Sequence, residues 1–192
     1  MNRVHGLICS SGWWARTVER RLLPWALAGV ELRGDVLEIG PGFGATTRVL
    51  AGRTDALTVL ELQPSYCARL RRELGPRVQV VEGDATAMPF ADASFGTVVC
   101  FTMLHHVPSP AQQDRMLAEV ARVLRPGGVV AGSDSVGTGR FFKLLHVGDT
   151  LVPLPVAGVT SRLEHAGLRD AHVSVGGNSF RFRASKPEPA AA

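Results

Sequence analysis

Short apolar runs along the chain alternate with segments in which apolar residues recur at helical spacing. The runs predict five buried β-strands, at residues 35–39, 56–62, 78–82, 97–101 and 129–133. Because each run is continuous rather than alternating with polar residues, it is typical of a parallel strand covered on both faces. Between the runs, residues 63–74 and 111–124 have the period of amphipathic helices. The pattern therefore predicts an α/β fold with a doubly wound, mostly parallel sheet and right-handed crossovers.

The N-terminal segment precedes this alternation. Residues 10–27 mix tryptophan and aliphatic side chains with arginines at helical spacing, which predicts an amphipathic helix that Pro24 ends or kinks. The arginines are interpreted as its solvent-facing side, with anion binding as the alternative, and the tryptophans as packing residues. We expect one domain over residues 1–185 and a disordered tail over residues 186–192.

After the fifth predicted strand the pattern becomes less regular. Residues 135–155 mix glycine, phenylalanine, histidine and proline without a clear period, and residues 156–166 then predict a helix. Two short runs, at 171–175 and 179–183, flank Gly176-Gly177-Asn178 and predict a terminal hairpin.

The composition is that of a globular protein and argues against several special classes. Of 192 residues, 45% are hydrophobic and 20% are charged, and the net charge is +4. That mild excess permits an acidic partner but lacks the density typical of nucleic-acid binding, so we interpret it as an ordinary solvated surface and expect no nucleic-acid partner. The three cysteines are widely spaced, which argues against a metal site and a disulfide framework. With neither a signal peptide nor a membrane span in the sequence, we expect a cytoplasmic protein.

Three glycines at alternate positions, Gly40, Gly42 and Gly44, follow the first predicted strand. Because they lack side chains, a nucleotide-like ligand can approach the backbone there, and the helix that follows offers unpaired N–H groups. Glu38 lies two residues before the first glycine. Its carboxylate indicates a ligand that presents positive charge or hydrogen-bond donors.

Further polar residues follow the next predicted strands, where ligands of open α/β sheets bind. Glu61 follows Gly44 by 17 residues, close to the ~20-residue spacing that places a carboxylate on ribose hydroxyls. Asp84 is suited to accept the amine of an adenine ring, Ala85 to donate its backbone N–H, and Met88 to pack against the ring. Together these residues predict a site for a ligand that contains adenosine.

The glycine turn alone also fits a dinucleotide-binding pattern, G-x-G-x-x-G/A, through Gly40, Gly42 and Ala45. Two features argue against a nucleotide-dependent oxidoreductase. Glu38 would face a pyrophosphate, and Gly83-Asp84-Ala85 lies outside that pattern. Preferential binding of NAD would reverse this interpretation.

Four segments together resemble the class I S-adenosylmethionine-dependent methyltransferases, in particular the small-molecule branch of quinone and sterol C-methyltransferases. They are Val36-Leu37-Glu38-Ile39-Gly40-Pro41-Gly42-Phe43-Gly44, Gly83-Asp84-Ala85 with Met88-Pro89-Phe90, Leu104-His105-His106-Val107, and Arg122-Val123-Leu124-Arg125-Pro126-Gly127-Gly128. The resemblance implies a Rossmann-like, seven-stranded sheet with an antiparallel terminal strand, and S-adenosylmethionine as cofactor. It assigns cofactor-binding roles to Glu38, Gly40, Gly42, Gly44, Glu61, Asp84, Ala85 and Phe101.

Two departures from the family pattern accompany the resemblance. Many relatives have aspartate after the phenylalanine that precedes the fourth strand, whereas Phe95 is followed here by Gly96-Thr97. Methyltransferases that act on exocyclic amines of nucleic-acid bases usually carry an Asn/Asp-Pro-Pro-Tyr/Phe segment after that strand. The present chain has Phe101-Thr102-Met103-Leu104 instead, which argues against that class of substrate.

The implied reaction is an in-line displacement at the sulfonium methyl group, in which alignment of donor and acceptor supplies most of the catalysis. A general base is required only if the acceptor must lose a proton. His106 is the first candidate to line the acceptor pocket and His146 the second, with structural or surface roles as the alternatives. His5 is a weaker third candidate.

The sequence shows no large insertion between strands, so we expect the acceptor site to be built from the N-terminal segment and residues 135–155. These segments are rich in Trp, Phe, Leu and Val, which favours a compact apolar or aromatic small-molecule acceptor. Two other functions stay open: a regulatory protein that binds the cofactor without turnover, and an RNA or protein methyltransferase. The acceptor atom and the oligomeric state do not follow from the sequence.

Overall fold

The computed structural model describes residues 3–137 and 147–189, with side chains from residue 6 onward. Seven strands form one sheet: β1 Val36–Ile39, β2 Leu57–Glu61, β3 Gln79–Glu82, β4 Phe95–Phe101, β5 Leu124–Ser135, β6 Arg169–Gly176 and β7 Ser179–Ser185. Their order is β3-β2-β1-β4-β5-β7-β6. β1 to β5 pair in parallel, and β7 pairs antiparallel with both β5 and β6. The predicted seven-stranded α/β sheet with an antiparallel terminal strand is confirmed.

Helices cover both faces of this sheet. They are α1 Arg3–Cys9, α2 Gly12–Thr17, a π-helical segment Val18–Leu22, α3 Leu23–Ala26, α4 Ala45–Leu50, α5 Pro64–Leu74, α6 Pro110–Val123 and α7 Val156–His165. Fully buried side chains mark the two cores: Met116, Val120 and Leu163 on one face, and Val18, Leu23 and Leu70 on the other. Among the described helices, none combines the length and the apolar character needed to cross a lipid bilayer.

The N-terminal layer, residues 3–26, contains more helix than the sequence predicted. Helical structure runs from Gly12 to Ala26 through the π-helical segment, so Pro24 lies inside α3 and does not end the predicted helix there. Proline lacks a backbone N–H and is tolerated in the first turn of a helix. Pro24 lies in such a first turn because α3 begins at Leu23, directly after the π-helical segment. Ser11 caps α2 by accepting a hydrogen bond from the Trp14 backbone N–H at 3.1 Å. α1 was not predicted.

β5 begins at Leu124 and includes Pro126-Gly127-Gly128, which the sequence had suggested as a turn before a strand at 129–133. The extension follows from long-range pairing, because the Gly127 N–H donates to the Lys186 carbonyl at 2.9 Å and the Lys186 N–H donates to Gly128 at 2.8 Å. The Lys186 ammonium also donates to the Leu124 carbonyl at 2.7 Å. The first residue of the predicted tail is therefore held against the sheet.

The departure at Gly96 has a steric explanation. A Cβ atom on Gly96 would lie 2.3 Å from the Arg33 carbonyl oxygen, which is far inside van der Waals contact. The neighbouring Thr97 hydroxyl donates to that same carbonyl at 3.1 Å and accepts from the Arg33 N–H at 2.9 Å. An aspartate at position 96 is excluded here because the loop before β1 packs directly on the strand.

We expect Gly96→Ala to lower the free energy of unfolding by about 1–3 kcal/mol, because the new methyl group must displace backbone rather than a flexible side chain. The matched control is Gly158→Ala in α7, where an added Cβ meets no atom within 4 Å. That variant should be neutral or stabilised by about 0.4–1 kcal/mol. Urea unfolding of both variants measures the difference, and equal stabilities would contradict the proposed packing of the Arg33 loop.

Candidate functional site

The carboxyl ends of β1, β2 and β4 meet at one edge of the sheet. These strands are parallel and in register, with Ile39 beside both Leu60 and Cys100. The Gly40 N–H continues the pairing by donating to the Leu60 carbonyl at 2.9 Å. The polar residues predicted at separate strand ends are therefore brought to the edge at which ligands of doubly wound sheets bind.

The three glycines of the turn all adopt positive φ, but each meets different surroundings. A Cβ on Gly44 would lie 2.6 Å from Leu70 of α5, so this glycine permits close packing of helix against turn. A Cβ on Gly40 would lie 3.0–3.2 Å from atoms of the Met103 side chain. At Gly42, with φ of +54°, a Cβ would meet no atom within 4 Å. The backbone at Gly42 is thus open to a ligand.

Glu38 lies beneath this turn and is almost completely buried. Its Oε1 accepts a hydrogen bond from the Thr46 hydroxyl, whereas its Oε2 has no hydrogen-bond partner among the described residues. Burial raises the pKa of Glu38 to about 7, against the lowering effects of the Thr46 and Thr47 hydroxyls. A buried carboxylate oxygen without a donor fits a ligand that brings a positively charged group to this position.

Glu61, at the end of β2, reaches back to the glycine turn. Its Oε2 accepts from the Gly42 N–H at 3.0 Å and its Oε1 accepts from the Gln63 N–H at 2.9 Å. Each carboxylate oxygen has a further lone pair with which to accept a ligand hydroxyl. The next side chain, Leu62, is 61% exposed and offers an apolar surface beside that carboxylate.

The loop after β3 is fixed by α6. The Met88 N–H donates to Glu119 at 2.7 Å, and Arg122 donates to the carbonyls of Met88 and Phe90 at 3.0 and 2.7 Å. The side chain of Met88 is buried in the core. The exposed Asp84 caps the start of the loop by accepting from the Thr86 N–H at 2.7 Å. Arg122 belongs to one of the four segments that resemble the methyltransferase family, and its hydrogen bonds hold the loop that carries Asp84.

Two of the residues to which the family resemblance assigns cofactor binding, Ala85 and Phe101, have side chains that are partly or fully buried. Ala85 is partly buried and packs against the core beneath the loop. Phe101, the last residue of β4, is buried in the core that the N-terminal layer covers. Contact between Phe101 and a ligand would have to come from its backbone.

The turn after β4 orients two histidines. Thr102 has a φ of +51°, which is unusual for a β-branched residue. His105 is 3% exposed, and its backbone N–H donates to Asp134 Oδ2 at 3.0 Å. Its ring Nδ1 also contacts Asp134 Oδ1. Asp134, at the end of β5, is completely buried and fixes both the backbone and the ring of His105.

His106 lies next to this pair and is only partly buried. Its ring centroid is 4.2 Å from that of His105, and its Nδ1 is 3.1 Å from the Thr150 carbonyl oxygen. Because a carbonyl oxygen can only accept, Nδ1 donates the hydrogen bond. His106, predicted from its place after the fourth strand, thus lies on the same turn as Met103, whose side chain lies against Gly40.

Hydrogen bonds join residues 150–152 to the histidine turn. The Val152 N–H donates to the His105 carbonyl at 2.7 Å. The buried side chain of Gln113 donates to the carbonyls of Val152 and Leu104, at 2.8 and 3.1 Å. The end of the irregular segment expected to line the acceptor pocket is therefore anchored at the carboxyl end of β4.

The N-terminal layer reaches the same edge of the sheet at an aromatic pair. The ring centroids of Phe43 and Tyr66 are 4.9 Å apart, and a Cβ on Gly6 of α1 would lie 3.5 Å from the Phe43 ring. Burial and, after it, the charge of Glu61 raise the pKa of Tyr66, and Asp149 contributes in the same direction. Segments from three parts of the chain therefore converge on the turn.

The structure also contains site residues that the sequence did not indicate. Thr46 acts through its contact with Glu38, and Gln113 acts through its contacts with Leu104 and Val152. No local sequence pattern identifies either residue. Asp134 had a visible signal, because it is a carboxylate at the end of a predicted strand. His146 lies outside the described residues, as does the side chain of His5.

Part of the sequence that carries these features is shared with known proteins. Residues 36–128 match the methyltransferase domain family. The chain is 42% identical over 76 residues to ribosomal RNA small subunit methyltransferase A of Bordetella pertussis, covering 39% of this chain and 29% of that protein. It is 37% identical over 105 residues to fatty-acid O-methyltransferase of Mycolicibacterium smegmatis, covering 52% and 36% respectively. The chain thus spans well under half the length of these relatives.

The fold itself extends beyond the matched segment. A solved S-adenosylmethionine-dependent methyltransferase from Methanosarcina mazei superposes with a TM-score of 0.71, covering 85% of this chain and 98% of that one at 18% identity. The family match spans the glycine turn, Glu61, Asp84 and the histidine turn. Residues 36–128 therefore match the methyltransferase domain family, and the chain shares the fold of a solved S-adenosylmethionine-dependent methyltransferase.

Proposed function

We propose that this protein transfers the methyl group of S-adenosylmethionine to a small apolar or aromatic acceptor. The observation that carries the proposal is the buried Glu38 oxygen without a donor, beneath an open glycine turn. The acceptor class is supported by the apolar and aromatic side chains that converge there, among them Met103, Phe43 and Tyr66. One relative, the fatty-acid O-methyltransferase, has a name that refers to an apolar acceptor.

The residues of the turn fit the parts of the cofactor. Glu38 would accept from the ammonium group and Glu61 from the ribose hydroxyls, and the glycines would let the ligand approach the backbone. Asp84 would accept from the adenine amine and Ala85 would donate its N–H, with Leu62 against the ring. When bound, S-adenosylmethionine supplies a methyl group already activated by a sulfonium. The remaining task of the chain is to align the acceptor and exclude water.

His106 is the proposed acceptor-facing base. Its Nδ1 donates to the Thr150 carbonyl, which fixes the ring, and an imidazole is the side chain suited to take a proton from a hydroxyl, carboxylic acid or amine near neutral pH. His105 and Asp134 would act through His106 by fixing the turn on which it lies. His146 stays a second candidate from the sequence.

Glu61→Ala is expected to weaken S-adenosylmethionine binding by about 1–3 kcal/mol, because buried ribose hydroxyls would lose their acceptor. Calorimetric titration measures this change. The matched control is Glu164→Ala, which removes an exposed carboxylate from α7. Unchanged affinity in a Glu61→Ala protein with normal melting temperature would reject the ribose assignment.

Cofactor affinity should depend on the protonation of Glu38. The ammonium group of the ligand requires an ionised partner, and the pKa of Glu38 is about 7 in the ligand-free protein. Affinity should therefore rise as the pH increases toward 7, by up to about tenfold per pH unit, and level off above it. Glu38→Gln, which cannot ionise, should bind more weakly and without this pH dependence.

The stability of the ligand-free protein should show the opposite trend. Because the pKa of Glu38 is raised from 4.5 to about 7 by folding, its contribution to stability is fully present below pH 4.5. It is lost as the pH rises through 7, and the loss is on the order of 3 kcal/mol. Comparison of wild type with Glu38→Gln in urea unfolding isolates this contribution. Parallel pH profiles of the two proteins would contradict the assignment.

The acceptor class is tested by methyl transfer from labelled S-adenosylmethionine to a panel of fatty acids and phenols, with small-subunit ribosomal RNA included in parallel. The RNA is included because of the 42% identity to a ribosomal RNA methyltransferase over 76 residues. Turnover of a fatty acid or phenol supports the proposal. Turnover of RNA alone would replace it, and cofactor binding without transfer to any acceptor would favour a regulatory role.

With an accepted compound, His106→Ala should lower kcat by about 100-fold or more while cofactor affinity stays unchanged. His165→Ala is the matched control, since His165 also engages a backbone carbonyl through Nδ1, at 2.6 Å from Ser161, but lies on α7. Equal activity of the two variants would exclude His106 as the base.

A further inference from the structure

The outer face of the N-terminal layer carries side chains that the core does not use. Trp13, Arg16 and Arg20 follow each other at helical spacing and, with Thr17 and Arg21, line an open groove of about 430 Å³. Trp13 is 66% exposed, and all three arginines are exposed. The opposite face of the same helical segment is buried through Val18 and its neighbours. The helical segment therefore has an apolar face that packs on the core and an opposite face that presents arginine and tryptophan side chains to solvent.

The three arginines on this face lack carboxylate partners among the described residues. Arg16 donates only to the Gly12 carbonyl of its own helix, at 3.2 Å. Some arginines elsewhere form ion pairs, such as Arg48 with Glu73 and Arg125 with Asp35, whereas others, such as Arg72 and Arg77, do not among the described residues. The N-terminal face thus places three guanidinium groups without an ion pair in one groove beside Trp13, and guanidinium groups bind phosphate in a bidentate manner.

A second exposed apolar side chain accompanies Trp13 on the N-terminal layer. Leu7 of α1 is 71% exposed, although leucine is usually buried in a protein core. Arginines combined with exposed tryptophan and leucine are characteristic of helices that lie in the headgroup region of a membrane. An aliphatic side chain has no flat surface on which a nucleic-acid base can stack, so Leu7 favours a lipid over RNA.

We propose that the N-terminal layer docks the protein on an anionic lipid surface. Arg16, Arg20 and Arg21 bind lipid phosphates, while Trp13 and Leu7 insert at the boundary between headgroups and acyl chains. Gly6 of α1, the neighbour of Leu7, lies against the Phe43 ring, so this end of the layer adjoins the glycine turn. An apolar acceptor dissolved in the bilayer would then need to travel only a short way to the site. Docking itself does not depend on the proposed methyl transfer.

Flotation of the full chain with phosphatidylcholine vesicles, with and without phosphatidylglycerol, tests the proposal. Binding should require the anionic lipid and weaken with added salt. The Arg20→Ala/Arg21→Ala double variant should bind roughly 30-fold more weakly, from the known effect of a basic residue near an anionic membrane. The matched control is Arg72→Ala/Arg77→Ala, which removes the same charge from exposed positions at the end of α5 and just beyond it. Equal losses in the two double variants would overturn the proposal.

Insertion is tested separately by tryptophan fluorescence. Anionic vesicles should shift the emission of the wild type to shorter wavelength, and Trp13→Ala should abolish the shift while its melting temperature stays near that of the wild type. Absence of a shift in wild type, or its persistence in Trp13→Ala, contradicts the assigned face. A preference of the wild type for single-stranded RNA over anionic vesicles, lost in Arg20→Ala/Arg21→Ala, would assign the groove to nucleic acid instead.

Discussion

A carboxyl group buried at the end of a central strand costs folding free energy unless a donor or a cation compensates for its desolvation. Glu38 accepts a hydrogen bond from the Thr46 hydroxyl, and the Thr47 hydroxyl also favours its ionised form, but its Oε2 has no hydrogen-bond partner among the described residues. The chain tolerates this deficit because the group can hold a proton at a pKa of about 7. The surrounding turn, with its open backbone at Gly42, gives a ligand direct access to that oxygen. A positively charged group of a ligand would compensate for the desolvation of the Glu38 carboxylate.

Much of this arrangement could be predicted because the sheet is parallel. Continuous apolar runs place strands, parallel strands end at a common edge, and carboxylates after those runs must then lie together. The same logic fails at β5, whose extension depends on pairing with Lys186 almost sixty residues later. It also fails at Gly96, where the local sequence only shows a departure from the family and the structure shows the Arg33 carbonyl that requires it. Steric constraints between distant segments leave no periodic signal.

On the acceptor side of the site, prediction from the sequence has a different limit. The two histidines after β4 were recognisable from the sequence, but their roles differ because their partners differ. Asp134 holds His105 in the core, whereas His106 bonds to a loop carbonyl and is less buried. Gln113 then ties that loop to the turn through two carbonyls. A sequence places candidate bases near a site, but only the hydrogen bonds across the fold separate a positioning residue from one that can meet an acceptor.

The net charge of +4 illustrates why composition underestimates local electrostatics. From the sequence we interpreted this small excess of positive charge as an ordinary solvated surface. Ion pairs do neutralise arginines at several places around the sheet, such as Arg125 with Asp35. The three arginines beside Trp13 on the N-terminal layer are not neutralised in this way by any described residue. A small total excess is therefore compatible with a strongly directional surface, since attraction to an anionic membrane depends on charge within about a Debye length rather than on the sum over the chain.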